Sequence, residues 1–345
     1  MTKKKTSLKK KIGIGAIIIS LLIMVSTFFI GNYFVDYALV PQSAGADREP
    51  VVESLPEGVE GQPQELAQII QKNREDEEKY VDEWLEMTKD LVQDVSIKSN
   101  DQLTLRGKIY PQSEDKKTNR WAVIVHGYQV DKEHMYPVAH RYWRAGYNIL
   151  SYDQRSLGTS DGDYITMGIK EKEDLVLWLK ELLKKHPDAE IVTHGQSMGS
   201  ATVMMASGLD NYPRESVNAV IADCGYSSVW GVFASELRQR FNLPAFPFLH
   251  MAGVMAYFRA DINIFTDGVT TDLLQHSKTP TLFIHGTADD FVPYPMIHEL
   301  YESLPIKEKE KYIVEGAGHS ESKYLNPDEY YQTVFGFIDK YTGKR

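Results

Sequence analysis

The chain has 345 residues, 42% hydrophobic and 25% charged, an ordinary globular composition with enough apolar mass for a large core. A formal net charge of −10 argues against broad affinity for nucleic acid. The single cysteine, Cys224, excludes an internal disulfide, a cysteine zinc site and a redox pair.

The charge is unevenly spread. Lys3, Lys4, Lys5, Lys9, Lys10 and Lys11 form a basic tail over residues 1–11, and acid dominates beyond Asp47. Residues 12–35, "IGIGAIIISLLIMVSTFFIGNYFV", carry no charge over 24 positions. About 20 apolar residues suffice for a helix to cross a bilayer. A cleaved signal peptide has a shorter apolar core and a small-x-small site close behind it. Here the small-residue match, Ala44-Gly45-Ala46, lies well downstream, so the reading is an uncleaved transmembrane anchor. The lysines before it predict an amino terminus in the cytoplasm and the rest of the chain outside. No cysteine closely follows the segment, which excludes a lipoprotein anchor.

Residues 36–64 read as an extracytoplasmic linker, rich in Pro, Gly, Glu and Gln and without periodicity. Residues 65–90 place Leu66, Ile69, Ile70, Tyr80, Trp84, Leu85 and Met87 at helical spacing among acidic residues. This lead-in is expected to dock on the following domain, with its charge run as a solvated face.

A domain is expected over residues 91–345. "DVSIKS" and "LTLRGKIY" alternate apolar and polar residues, as a hairpin with one solvated face does. "WAVIVHG", "YNILSYD", "AEIVTHG", "VNAVIADCG", "TPTLFIHG" and "EKYIVEGAGH" supply further strands. Helical stretches over residues 135–145, 170–185, 198–208, 295–304 and 327–341 separate them. Such alternation predicts an α/β fold: a mostly parallel sheet with helices on both faces. Residues 227–278 interrupt the rhythm and are too long for a simple crossover. They are apolar and aromatic with helical patches, and read as a small helical cap. Phe246, Phe248, Met251 and Met255 would pack it onto the core, or together line an apolar pocket.

"GQSMG" puts Ser197 between Gly195 and Gly199, behind a buried strand and ahead of a helix. This is the nucleophile-elbow pattern. A serine exposed at a sharp strand-to-helix turn needs neighbours without side chains, and the following helix aims free N–H groups at a developing oxyanion. The serine needs a base and the base an orienting acid. His319 follows the last strand on the glycine-rich loop "GAGH", whereas His298 falls inside a predicted helix. "FIHGTADDFVP" offers Asp289 and Asp290 at a strand end, and Asp223 ends the strand before the cap. Cys224 has no elbow or dedicated base and reads as a buried structural thiol. His250 and His276 lack metal-ligand spacing, and no phosphate-binding loop is present, so no metal and no cofactor are expected.

Over residues 91–341 the chain resembles the α/β-hydrolase superfamily, especially its serine-aminopeptidase-like and membrane-attached bacterial branch. The motifs are His126-Gly127-Tyr128, Asp153-Gln154-Arg155 with Gly158, Ser160 and Gly162, the Gly195-to-Gly199 turn, His285-Gly286 through Asp289 with Val292-Pro293, and Gly318-His319. The resemblance implies Asp289 as the acid. It also implies an oxyanion hole from the backbone N–H groups of Met198 and Tyr128, and structural roles for Asp153 and Arg155. The expected function is a membrane-anchored extracytoplasmic serine hydrolase cleaving a carboxylic ester of acyl or hydrophobic character through Ser197, His319 and Asp289. A serine peptidase or aminopeptidase of the same fold is the alternative, although Glu236 and Asp261 have no assigned place in holding a substrate amine. A non-catalytic binding protein on this scaffold is a further alternative, disfavoured by the intact Ser-Asp-His set.

Overall fold

The computed structural model describes residues 2–41 and 63–342; most of the expected linker, with Ala44-Gly45-Ala46, lies outside the described residues. Helix α1 (Thr2–Leu39) carries the apolar run. It is long and apolar enough to cross a membrane. It does not stop where the uncharged run stops, because residues 36–39, expected to begin the linker, are its last turn. Helix α2 (Gln64–Thr88) follows as one piece.

The hairpin β1 (Gln93–Lys98) and β2 (Thr104–Tyr110) leads into β3 (Arg120–Val125), α3 (Tyr136–Arg144) and β4 (Asn148–Tyr152). Then come α4 (Glu171–Lys185), β5 (Glu190–Gln196), α5 (Met198–Ser207) and β6 (Val217–Asp223). The interrupting segment folds into α6 (Val229–Phe241), α7 (Ala245–Ala260) and the short α8 (Thr270–Leu274). An antiparallel bridge between Ser228 and Val269 ties its base. The chain ends with β7 (Thr281–Gly286), α9 (Met296–Ser303), β8 (Lys309–Val314), α10 (Ser322–Leu325) and α11 (Pro327–Asp339).

The strands form one eight-stranded sheet in the order β1-β2-β4-β3-β5-β6-β7-β8. Strand β2 runs antiparallel to both neighbours, and β4 through β8 pair in parallel. The inner parallel strands are buried on both faces, which is why they read as continuous apolar runs, while the edge strand β8 is only half-buried. One core, with Leu150, Trp178, Val203 and Phe283, covers one face; another, with Tyr142, Ile221, Val334 and Phe337, covers the other. A third core joins Met198 and Tyr226 to the cap and to Val35 and Leu39 of α1.

Helix α2 docks through Trp84, which is fully buried with its ring 4.5 Å from that of Tyr110. Its charge run is not solvated throughout. Glu77 is buried, accepting from His140 Nε2 at 2.6 Å and from Arg141. A buried carboxylate persists only when donors satisfy it; the Arg141 guanidinium supplies the charge, and His140, whose pKa burial lowers, supplies a ring N–H.

Candidate active site

Ser197 sits between the end of β5 and the start of α5 with φ 55° and ψ −118°, a backbone that side chains rarely adopt. The flanking glycines have a measurable steric cause. A Cβ on Gly195 would lie 2.1 Å from the carbonyl oxygen of Gly199, and a Cβ on Gly199 would lie 2.1 Å from that of Val125. Neither position admits any side chain. The elbow is therefore held by close backbone packing between β3, β5 and α5.

The carboxyl edge of the sheet brings three predicted residues together. Ser197 Oγ lies 2.9 Å from His319 Nε2, and His319 Nδ1 lies 2.8 Å from Asp289 Oδ2. Asp289, and not Asp290 or Asp223, meets the histidine. Its other oxygen accepts the backbone N–H groups of Phe291 (3.0 Å) and Val292 (2.8 Å). His285 Nε2 is 3.1 Å from Oδ2 and fixes the same carboxylate, a contact that the four-residue spacing from Asp289 could have signalled. Burial alone would raise the Asp289 pKa, but His319 and His285 outweigh it and hold the carboxyl below its ordinary range. Burial disfavours charging His319, yet Asp289 overcomes that and raises the imidazole well above 6.5. The arrangement can pass a proton from the Ser197 hydroxyl to Nε2 while Nδ1–H stays on Asp289.

Asp223 accepts from the Tyr330 hydroxyl at 2.8 Å, and burial raises its pKa. Donor atoms of Cys224, Asp289 and His319 lie within 4.8 Å of one another. Both His319 nitrogens are already engaged, so a metal there would have to displace Ser197 or Asp289. Burial pushes the Cys224 thiol up, and its sulfur lies beside His319 and 3.5 Å from the Ser320 hydroxyl. His298 meets Lys311 at 3.3 Å, away from these groups.

The neighbouring loops are braced. His126 is buried and held neutral, its pKa lowered to about 4 by burial. Its Nδ1 donates to the Gly127 carbonyl at 2.8 Å, and its Nε2 accepts from the Gln154 N–H at 2.9 Å. Asp153 accepts from buried Lys132 at 2.9 Å and from Thr159, and Arg155 grips Asp174 at 2.7 Å, both building structure. The Tyr128 hydroxyl, which could have faced a substrate, donates instead to the Ala38 carbonyl of α1 at 2.8 Å.

A cavity of about 820 Å³, part of it open to solvent, adjoins the site. Phe291 links the two: it lines the cavity, and its ring centre is 5.0 Å from that of His319. Phe233 and Leu237 of α6 and Leu249 and Ala256 of α7 supply apolar wall. The four residues singled out in the cap do not line it. Phe246 is exposed, Phe248 is half-buried in the cap core, and the Met251 backbone and the Met255 side chain meet α1 at Gly31. The residues that sequence reasoning missed are Phe34, Val35, Ala38 and Leu39, which wall the cavity from α1. Glu236 also lines it, paired with Arg240; Asp261 lies outside, 3.4 Å from Lys170.

Residues 116–241 match the model of the serine aminopeptidase S33 family. YqkD of Bacillus subtilis is 29% identical over 218 residues, covering 63% of this chain and 70% of that one. A Saccharomyces cerevisiae membrane protein, YNL320W, is 23% identical over 199 residues, 57% of this chain and 62% of its own. Among solved structures, the Pyrococcus furiosus esterase Pf2001 superposes with a TM-score of 0.59 at 24% identity, covering 73% of this chain and 93% of that one. That likeness speaks for the fold. With the sheet order and the match to that family model, it gives the chain the α/β-hydrolase fold.

Proposed function

We propose that the chain is a membrane-anchored serine hydrolase acting on a carboxylic ester of hydrophobic character. The observation that carries this reading is the line Ser197–His319–Asp289, 2.9 Å and 2.8 Å long, at a strained elbow. His319 takes the hydroxyl proton as Ser197 attacks the ester carbonyl. The Met198 and Tyr128 backbone N–H groups receive the oxyanion, and His319 returns the proton to the leaving alcohol. Water, activated by the same imidazole, then releases the acid, while Asp289 orients the ring and stabilises its charge. The apolar cavity favours an acyl group. The uncharged run of α1 serves as the anchor, with the basic residues at the start of that helix in the cytoplasm and the catalytic domain outside.

The family match gives a peptidase as the second reading. An aminopeptidase needs a free carboxylate for the substrate amine. Of the acids, Glu236 is the one lining the cavity, and Arg240 already occupies it. A p-nitrophenyl ester chain-length series, run beside aminoacyl anilides, tests the choice. Esters should be turned over with higher kcat/KM; faster anilide turnover would reverse it. Unchanged turnover of both by Ser197→Ala would remove the serine mechanism. Protease treatment of intact cells should remove the domain, and protection would reverse the orientation.

A further inference from the structure

Helix α7 is apolar on three sides. Leu249, Ala252, Ala256 and Ala260 face inward and are buried. Val254, Tyr257 and Phe258, three and four residues apart and so on one face, are 42%, 57% and 75% exposed. The third side meets α1. A Cβ on Gly31 would lie 2.5 Å from the Met251 carbonyl oxygen and 2.5 Å from Met255 Cγ, so the two backbones cross in direct contact. Arg259 pins the crossing from outside, donating to Asn32 at 2.9 Å and Asp36 at 2.6 Å.

Gly31 belongs to the uncharged run of residues 12–35. At 1.5 Å per residue it lies about 7 Å along the axis from Asp36, the first charge after that run. A bilayer spanned by α1 therefore reaches α7 at the depth where interfacial helices rest, roughly 5–10 Å into the headgroup boundary. The exposed rings of Phe28, Phe29 and Tyr33 surround the same level on α1.

The end of α1 is also built into the catalytic domain. The last carbonyls of a helix lack intrahelical donors. Here the Ala38 carbonyl accepts from Tyr128 and the Leu39 carbonyl accepts from the Ile165 N–H at 2.7 Å. Phe34, Val35 and Ala38 then stand as one wall of the cavity, with Leu249 and Ala256 of α7 opposite.

We propose that α1 is a substrate-binding element as well as an anchor, and that the substrate is a lipid ester drawn from the bilayer α1 spans, its acyl chain held between the last turns of α1 and the buried face of α7. This inference rests on the serine-hydrolase reading and names its substrate class. The test uses the full chain in phosphatidylcholine vesicles that carry a diglyceride with a pyrene-labelled acyl chain; p-nitrophenyl acetate in the surrounding water is the control substrate. Wild type should turn over both. Ala38→Trp from the α1 side and Ala256→Trp from the cap side should each lower the diglyceride-to-acetate ratio of kcat/KM at least tenfold. Either variant suffices if the other fails to fold. Phe258→Asp, outside the cavity, should lower the same ratio severalfold by lifting α7 from the lipid. Ratios within twofold of wild type in the folded variants overturn the inference. So does wild type that cleaves acetate but leaves the diglyceride intact, an outcome that spares the hydrolase reading. Failure on both substrates removes that reading and the inference together.

Discussion

The carboxyl edge of the sheet and the cap with its α1 wall are built by opposite means. At the edge, position is set by backbone against backbone: Gly195 and Gly199 leave no room for a methyl group, and Asp289 is held by two N–H groups and two imidazoles. The cavity wall is made of side chains from distant segments, such as Phe34 and Ala38 of α1 and Leu249 and Ala256 of α7, with the Arg259–Asp36 pair joining the same two helices. Under the proposed function, chemistry that needs sub-ångström placement would sit on the first kind of structure, and substrate selection, which tolerates adjustment, on the second.

Substitutions can break or sharpen that contrast. Ser197→Ala should leave the fold intact and lower kcat by about 10⁴–10⁶-fold, read from ester hydrolysis beside a thermal melt. Asp289→Asn should cost about 10⁴-fold by misorienting His319. It should also move the pH profile. His319 accepts a proton only when neutral, and Asp289 raises its pKa, so wild-type kcat/KM should fall as pH drops through a value above 6.5. Without that carboxylate the acid limb should shift to lower pH; an unmoved limb would separate Asp289 from His319.

Gly199→Ala probes the same edge through stability. With backbone oxygen 2.1 Å from the new methyl group, α5 or β3 must move, at a cost of about 3 kcal/mol in denaturant unfolding. Arg259→Ala probes the other region and should be mild. The Arg259 and Asp36 side chains are 24% and 49% exposed, so losing the pair should cost about 1 kcal/mol or less. A loss as large as that of Gly199→Ala would abolish the distinction between the two regions.

What was legible in the sequence follows the same division. The inner parallel strands announced themselves because both faces are buried, and the elbow because its two glycines flank the serine within five consecutive residues, although the oxygen that Gly199 must clear belongs to Val125. The wall of the cavity was not legible. Asp36 looked like the end of a membrane span, yet its charge is met by Arg259, 223 positions later, which lets the helix continue onto the cap. Met251 and Met255 looked like pocket or core residues, and their partner proved to be a glycine in the apolar run. Glu77 was hidden in a solvated-looking charge run because its partners, His140 and Arg141, lie on another helix. Hydrophobic periodicity records which face an element buries, and says nothing about which distant element covers it.

The most direct test of the central claim is peptide mapping after reaction with a fluorophosphonate. One adduct, on Ser197, is expected in wild type, with none in Ser197→Ala and slow formation in His319→Ala. An adduct on another residue, or equal labelling of wild type and Ser197→Ala, would contradict the account.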